Sequence, residues 1–76
     1  MSTAEPSFRR IVNEIAEKIK NGEMRPGTKL PSTRELADMY DVSTGTVYRA
    51  LSLLHDRDLI IGQPGRGTYV AEHPDK

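Results

Sequence analysis

The sequence contains no cysteine and no tryptophan, and only four of its 76 residues are aromatic. The lack of cysteine excludes a disulfide framework and thiolate metal sites, and it fits a reducing compartment. With so few aromatic residues, any core has to rest on leucine, isoleucine and valine. A chain of this length allows one small domain, near the lower size limit at which a single core is stable.

Long hydrophobic runs are also missing. No run approaches the roughly 20 apolar residues that a membrane-spanning helix requires. The polar N-terminus has no signal-peptide core either. The chain is therefore expected to be soluble and cytoplasmic, with no membrane partner.

The chain also has no excess of positive or negative charge, since eleven Lys and Arg residues balance eleven Asp and Glu residues. A nucleic-acid-binding domain usually carries a basic excess. Zero net charge predicts a weak non-specific component of any DNA binding. It does not exclude a DNA-binding face, because the field at that face matters more than the sum of the charges.

Apolar residues recur at spacings of three and four between residues 8 and 19, which predicts an amphipathic helix over about 7–21. The helix is expected to end at Gly22, which adopts a left-handed conformation at low cost. Pro26 and Gly27 predict a turn, and a short extended segment follows at 28–30.

Two further helices are marked by their N-terminal caps. Ser32 and Glu35 have the capping-box spacing, which predicts a second helix over about 33–40. That helix is expected to bury either Tyr40 or Met39. Ser43 is the expected cap of a third helix, which ends near residue 56.

Towards the end of the chain the apolar residues no longer recur at helical spacing. Two β-branched runs at 59–61 and 68–70 flank a glycine-rich segment, which predicts a hairpin. The fold class is therefore α+β and mainly helical: a winged helix-turn-helix of three helices, a short strand and a two-stranded wing. The domain is expected over 7–71, after a disordered segment at 1–6. Residues 72–76 are expected to be a tail or the start of a linker to an absent effector domain.

Two short helices joined by a tight turn form a helix-turn-helix, whose second helix can enter a major groove about 12 Å wide. The first turns of the third helix carry small or hydrogen-bonding residues and no acid, although the helix dipole would favour acids on a merely solvated helix. The first role of Ser43 is to cap this helix, and a DNA contact by its hydroxyl is secondary. The alternative explanation for Thr44 and Thr46 is that they are ordinary surface residues. The candidate DNA contacts are Ser43, Thr44, Gly45, Thr46, Tyr48 and Arg49.

Arginines at other positions extend this candidate interface. Arg34 lies in the first turn of the second helix, which crosses the DNA backbone in this motif. Arg66 lies at the hairpin tip between Gly65 and Gly67, where a loop with few side chains can approach a sugar-phosphate wall or enter the minor groove. We therefore include Arg34, Arg66 and Gly67 among the candidate DNA contacts.

Each arginine also has a less specific explanation. Arg34 could form a surface ion pair with Asp38, and Arg49 with Asp56 or Glu35. Such pairs contribute only about 0.3–0.5 kcal/mol along a helix. The arginine and glycines of the hairpin tip could serve turn geometry alone.

Three motif blocks cover most of the chain. They are Gly22-x-x-x-Pro26-Gly27-x-x-Leu30-Pro31-Ser32-x-Arg34-Glu35-Leu36-Ala37, Val42-Ser43-x-x-Thr46-Val47-x-x-Ala50-Leu51, and Gly65-x-Gly67-Thr68-x-Val70. Their spacing closely resembles the DNA-binding domain of the GntR family over about residues 8–71. The resemblance implies a recognition helix over about 43–56 in the major groove and a wing over 62–67 in the flanking groove. It also implies a homodimer on operator DNA with two-fold symmetry, and usually repression.

Some residues depart from the family pattern. Thr44 and Tyr48 stand where the family often has arginine, and Ile61-Gly62 stands where a basic residue is common. Tyr48 can stack on a sugar or touch a thymine methyl, but it cannot make the bidentate contact of arginine to guanine. Asp58 stands where the family commonly has glycine, which implies a slightly strained corner.

No arrangement of residues points to catalysis, a cofactor or a metal. His55 and His73 are isolated from acidic residues at ligand spacing, and no nucleophile has a base beside it. We therefore do not expect an enzyme, a cofactor, or a small-molecule effector site in this chain. The rival interpretation is a winged helix used for protein–protein contact, which would need an exposed apolar patch. The chain has no surplus of apolar residues for one, nor an obvious dimerisation surface, so the isolated domain is expected to be monomeric or weakly dimeric.

Overall fold

Three helices precede an antiparallel hairpin in the computed structural model, which describes residues 7–72. The predictions for 1–6, for His73 and for the rest of the tail lie outside the described residues. The elements are α1 (Ser7–Lys20), α2 (Thr33–Tyr40), α3 (Thr44–Asp56), β1 (Ile60–Gln63) and β2 (Gly67–Val70). This order confirms the three predicted helices and the hairpin. No helix among the described residues is long and apolar enough to cross a membrane.

The helix ends follow the local signals in the sequence. Gly22 has a φ of 89°, which confirms the left-handed residue predicted after α1. At the start of α2 the capping box is complete, because the Glu35 amide donates to Ser32 Oγ at 3.1 Å and the Ser32 amide donates to Glu35 Oε1 at 2.8 Å. Ser43 caps α3 by accepting from the Thr46 amide at 3.2 Å. These short-range bonds satisfy amides that have no partner within the helix.

The hairpin is longer than predicted. β1 and β2 pair from Ile60↔Val70 to Gln63↔Gly67, so the strands take in part of the glycine-rich segment and only 64–66 remain as the turn. The Arg66 amide donates to the Gln63 carbonyl at 2.9 Å and closes this turn. Leu59 lies outside β1 because its amide bonds to the Leu54 carbonyl at the end of α3.

The short extended segment after α1, predicted to be a short strand, forms an isolated bridge to the hairpin, and the sheet of the described residues has two strands. Lys29 forms an antiparallel bridge with Tyr69. The Leu30 amide donates to the Thr68 carbonyl and the Val70 amide to the Thr28 carbonyl, both at 2.8 Å. The connection between α1 and α2 is therefore fixed to the edge of β2, which places the start of α2 beside the wing.

One apolar cluster joins all the elements. It is built on aliphatic residues, as the low aromatic content required, and α1 packs against α3 across it. The most deeply buried side chains are Ile11, Val12, Ile15, Leu36, Val47, Leu54 and Val70. Of the two alternatives in α2, Tyr40 is half-buried and Met39 is exposed. Packing thereby leaves one face of the N-terminal half of α3 on the surface.

Candidate nucleic-acid interface

The turn between α2 and α3 sets the geometry of the helix-turn-helix. Asp41 takes a left-handed conformation with a φ of 57°, and the Val42 amide donates to the Ala37 carbonyl at 3.0 Å. The connection between α2 and α3 is therefore only three residues long, and its last residue, Ser43, caps α3. The first two residues of α3, Thr44 and Gly45, are exposed.

Four residues of α3 form an exposed ridge. Thr44 and Tyr48 are four residues apart, as are Gly45 and Arg49, so the two pairs lie side by side on one face. All four are exposed. Thr46 lies beside the ridge and is half-buried, because its hydroxyl bonds to Ser43 Oγ at 3.1 Å. The ridge carries no acidic side chain, so nothing on it repels a phosphate.

Tyr48 faces the wing. It lines an open cleft together with residues of β1, the hairpin turn and β2, among them Gly62, Arg66 and Gly67. Gly62, Gly65 and Gly67 place no side chains on the wing side of this cleft, so a partner can approach the backbone closely. Tyr48 of the ridge and the residues of the wing thus border the same open cleft.

Arg49 lies on the edge of the ridge that is nearer to α1. Its Cζ lies 5.1 Å from the centroid of the Phe8 ring, a cation–π arrangement. Neither of the ion pairs considered from the sequence, with Asp56 or with Glu35, is formed. This aromatic partner was not predicted from the sequence, although Phe8 belongs to the apolar stripe of α1 that faces α3.

Arg34 and Arg66 are exposed and lie on α2 and at the hairpin tip, respectively. The one ion pair between residues 7 and 72 joins Arg10 Nε to Glu14 Oε2 at 3.4 Å. Arg34 is therefore not paired with Asp38, the less specific explanation that its spacing allowed. Both guanidinium groups remain available for a ligand.

The wing glycines have the backbone conformations that glycine favours. Gly65 has a φ of 76° and Gly67 a φ of 130°. Both are needed for the shape of the hairpin, whatever it contacts.

Lys29, which was not predicted as a site residue from the sequence, also lies at the wing. The side chain of Lys29 crosses Gly67, because a Cβ there would lie 2.9 Å from Lys29 Cε.

The sequence of this chain is similar to those of known bacterial regulatory proteins. The family model described as bacterial regulatory proteins, gntR family, matches residues 8–70. The chain is 40% identical over 67 residues to the HTH-type transcriptional repressor NagR of Bacillus subtilis, covering 88% of this chain and 28% of that protein. It is 38% identical over 68 residues to the HTH-type transcriptional repressor YtrA of the same organism, covering 90% and 52%. The chain thus spans about a quarter and about half of these relatives.

Solved structures agree with the fold. A GntR family transcriptional regulator from Listeria monocytogenes matches 95% of this chain and 63% of its own with a TM-score of 0.86 at 33% identity. AraR(DBD) in complex with operator ORR3 matches 93% of this chain and 86% of its own with a TM-score of 0.86 at 30% identity. These likenesses confirm the winged helix-turn-helix. Since the family model covers well over half of the chain, this protein belongs to the gntR family of bacterial regulatory proteins.

Proposed function

We propose that this domain binds double-stranded DNA sequence-specifically and regulates transcription as one half of a homodimer on an operator with two-fold symmetry. The observation that carries the proposal is the exposed, acid-free ridge of α3 beside the glycine-lined cleft of the wing. In this motif the second helix enters the major groove, which suits a ridge that carries no acidic side chain. The solved complex of AraR(DBD) with an operator supports DNA binding by this chain.

The candidate residues have three proposed roles. In the proposed complex Thr44, Gly45, Thr46, Tyr48 and Arg49 lie nearest the bases. Arg34 and Ser43 fix the register on phosphates, and Arg66 with Gly67 enters the flanking groove. Phosphate contacts position such a domain, whereas contacts to base edges specify the sequence.

Repression is the proposed mode of regulation, because a dimer on an operator excludes polymerase sterically. NagR and YtrA are both named as repressors, which supports this direction. The domain would act in the cytoplasm and would not be an enzyme. Specific dimers of this kind bind at about 10⁻⁸ to 10⁻¹¹ M, and a single domain is expected to bind more weakly.

The rival role as a protein-contact module lacks a continuous apolar surface among the described residues. The exposed large apolar side chains are Met39 at 63%, Tyr48 at 61% and Ile61 at 39% exposure. They line three separate depressions: beside Pro31, between α3 and the wing, and on the outer wing face. Single exposed apolar residues are normal on a soluble protein and do not make an interface.

Fluorescence anisotropy tests the proposal directly. The domain, alone and fused to a dimeric coiled coil, is titrated onto a labelled duplex from its own upstream region and onto a scrambled duplex, at two salt concentrations. Preference for the upstream duplex, with affinity that falls as salt rises, is expected. Arg34→Ala and Arg49→Ala should weaken binding, while Arg25→Ala, on the loop after α1, serves as a matched control. A folded, tethered protein that binds neither duplex at low salt would overturn the proposal and favour the protein-contact role.

A further inference from the structure

Lys29 is held on the edge of the wing by its backbone. It bridges Tyr69 on β2, and the flanking residues on either side bond to the same strand. Residues opposite each other in an antiparallel pair project to the same face, and the diagonal neighbour two residues along lies within reach of a long side chain. For Lys29 that diagonal neighbour is Gly67. The strand register therefore directs the lysine along the outer face of the wing.

The side chain of Lys29 extends towards the hairpin turn. A Cβ on residue 67 would lie 2.9 Å from Lys29 Cε and 3.7 Å from its Nζ, so the lysine stem occupies the space that the glycine leaves open. The stem covers the strand while the ammonium stays in water, as lysine commonly does. Gly67 immediately follows Arg66, which lies in the turn. The end of the Lys29 side chain thus lies beside the residue that follows Arg66 in the chain.

The Lys29 ammonium has no carboxylate within ion-pair distance among residues 7–72, where the single ion pair lies on α1. Glu35 and Asp38 line the groove beside Lys29, but Glu35 accepts the Ser32 amide in the capping box. Glu72 lies instead beside Gly27, where its Oε2 is 3.6 Å from the position of a Cβ. No interaction within the described fold accounts for this charge.

We infer that Lys29 is a second cationic contact of the wing, binding a backbone phosphate next to the groove that Arg66 enters. The inference rests on the proposed DNA binding and adds a residue to that site. An ammonium is a compact point charge that suits a phosphate and carries no base preference. Lys29 should therefore strengthen binding to any duplex equally, and it should not contribute to sequence discrimination.

The test compares the Lys29→Gln variant with Lys20→Gln, which removes an exposed lysine from the last turn of α1. Affinity is measured over a range of salt concentrations on the upstream duplex and on the scrambled duplex. For Lys29→Gln the slope of log affinity against log salt should be about 0.9 shallower, the amount that one phosphate contact contributes. The loss should be equal on the two duplexes, and Lys29→Arg should restore the slope. Lys20→Gln should behave as the unmodified chain.

The thermal unfolding midpoint of Lys29→Gln should be unchanged, which separates loss of a contact from loss of structure. An unaltered salt slope in Lys29→Gln, on duplexes that the unmodified chain binds with salt dependence, would overturn the inference and leave the proposed function intact. If the unmodified chain binds neither duplex, the proposed function fails and this inference fails with it.

Discussion

The guanidinium of Arg49 lies over the ring of Phe8, with 5.1 Å between Cζ and the ring centroid. One residue belongs to the exposed ridge of α3 and the other to the first turn of α1. The contact holds a flexible, charged side chain on one side of the proposed recognition helix before any ligand binds. Such ordering lowers the entropy that binding would otherwise cost.

Replacing Phe8 with leucine tests this ordering. The variant keeps an apolar side chain in the core stripe but removes the aromatic face, so DNA affinity should fall by a few-fold. A cation–π contact at an exposed site is worth about 0.5–1 kcal/mol. Anisotropy titrations of Phe8→Leu, Arg49→Ala and the double variant measure the coupling. Additive losses would show that Phe8 does not position Arg49.

Replacing Tyr48 with arginine should change base preference. The Tyr48 side chain is exposed between the ridge and the wing, and a tyrosine cannot make a bidentate contact to guanine. Each good bidentate pair contributes about 1–3 kcal/mol of discrimination. Selection from a randomised duplex pool should therefore enrich guanine at one position, with its symmetric mate, for Tyr48→Arg. Tyr48→Phe is the matched control, and identical selected sequences for Tyr48→Arg and the unmodified chain would contradict a base-facing residue 48.

Replacing Asp58 with glycine should stabilise the fold. Asp58 has a φ of 61°, which confirms that the position where the family commonly has glycine is left-handed. A left-handed conformation costs most L-residues roughly 1–2 kcal/mol, and aspartate somewhat less. Because glycine also loses more entropy on folding, we expect a net gain below about 1 kcal/mol in the free energy of unfolding. Urea denaturation measures it.

Asp58→Ala supplies the contrast, since alanine keeps a Cβ but loses the local polar group. It should destabilise the fold. Equal stability of the glycine and alanine variants would show that the backbone conformation at this corner carries no strain.

High pH should weaken the contact between α1 and α2. The Tyr40 hydroxyl donates to Glu14 Oε1 at 3.0 Å. Burial raises the pKa of Tyr40 to about 12, and the hydrogen bond to Glu14 and the charge of that carboxylate act in the same direction. Tyrosine in an unfolded chain has a pKa of about 10. The folded state therefore holds this proton more tightly, and its contribution to stability is complete below about pH 10 and lost as the pH rises through about 12.

Tyr40→Phe removes the titrating group while retaining the ring. Its free energy of unfolding, measured by urea denaturation at neutral pH and at about pH 11, should fall less with pH than that of the unmodified chain. Tyrosinate absorbance should also lose its highest-pH step. Parallel pH profiles for the two proteins would contradict the prediction.

Local signals in the sequence were sufficient for the order of elements and for the helix boundaries. The signals at the helix ends act over three or four residues, so they can be read from the order of residues alone. They are the caps formed by Ser32 with Glu35 and by Ser43 with Thr46, and the left-handed Gly22. The motif spacing was also sufficient for the family. The position of the wing was predicted correctly, but its strands were predicted too short. The β-strand pairing continues into glycines, which have a weak preference for strands.

Tertiary structure decided which side chains meet across elements. Whether Tyr40 or Met39 faced inward depended on how α2 packs against the rest of the core, and both residues fit the helical period. The contacts of Arg49 with Phe8 and of Lys29 with Gly67 join residues far apart in the chain. They follow from helix packing and strand register, which arise only when the whole core assembles, and no local pattern of residues encodes such distances.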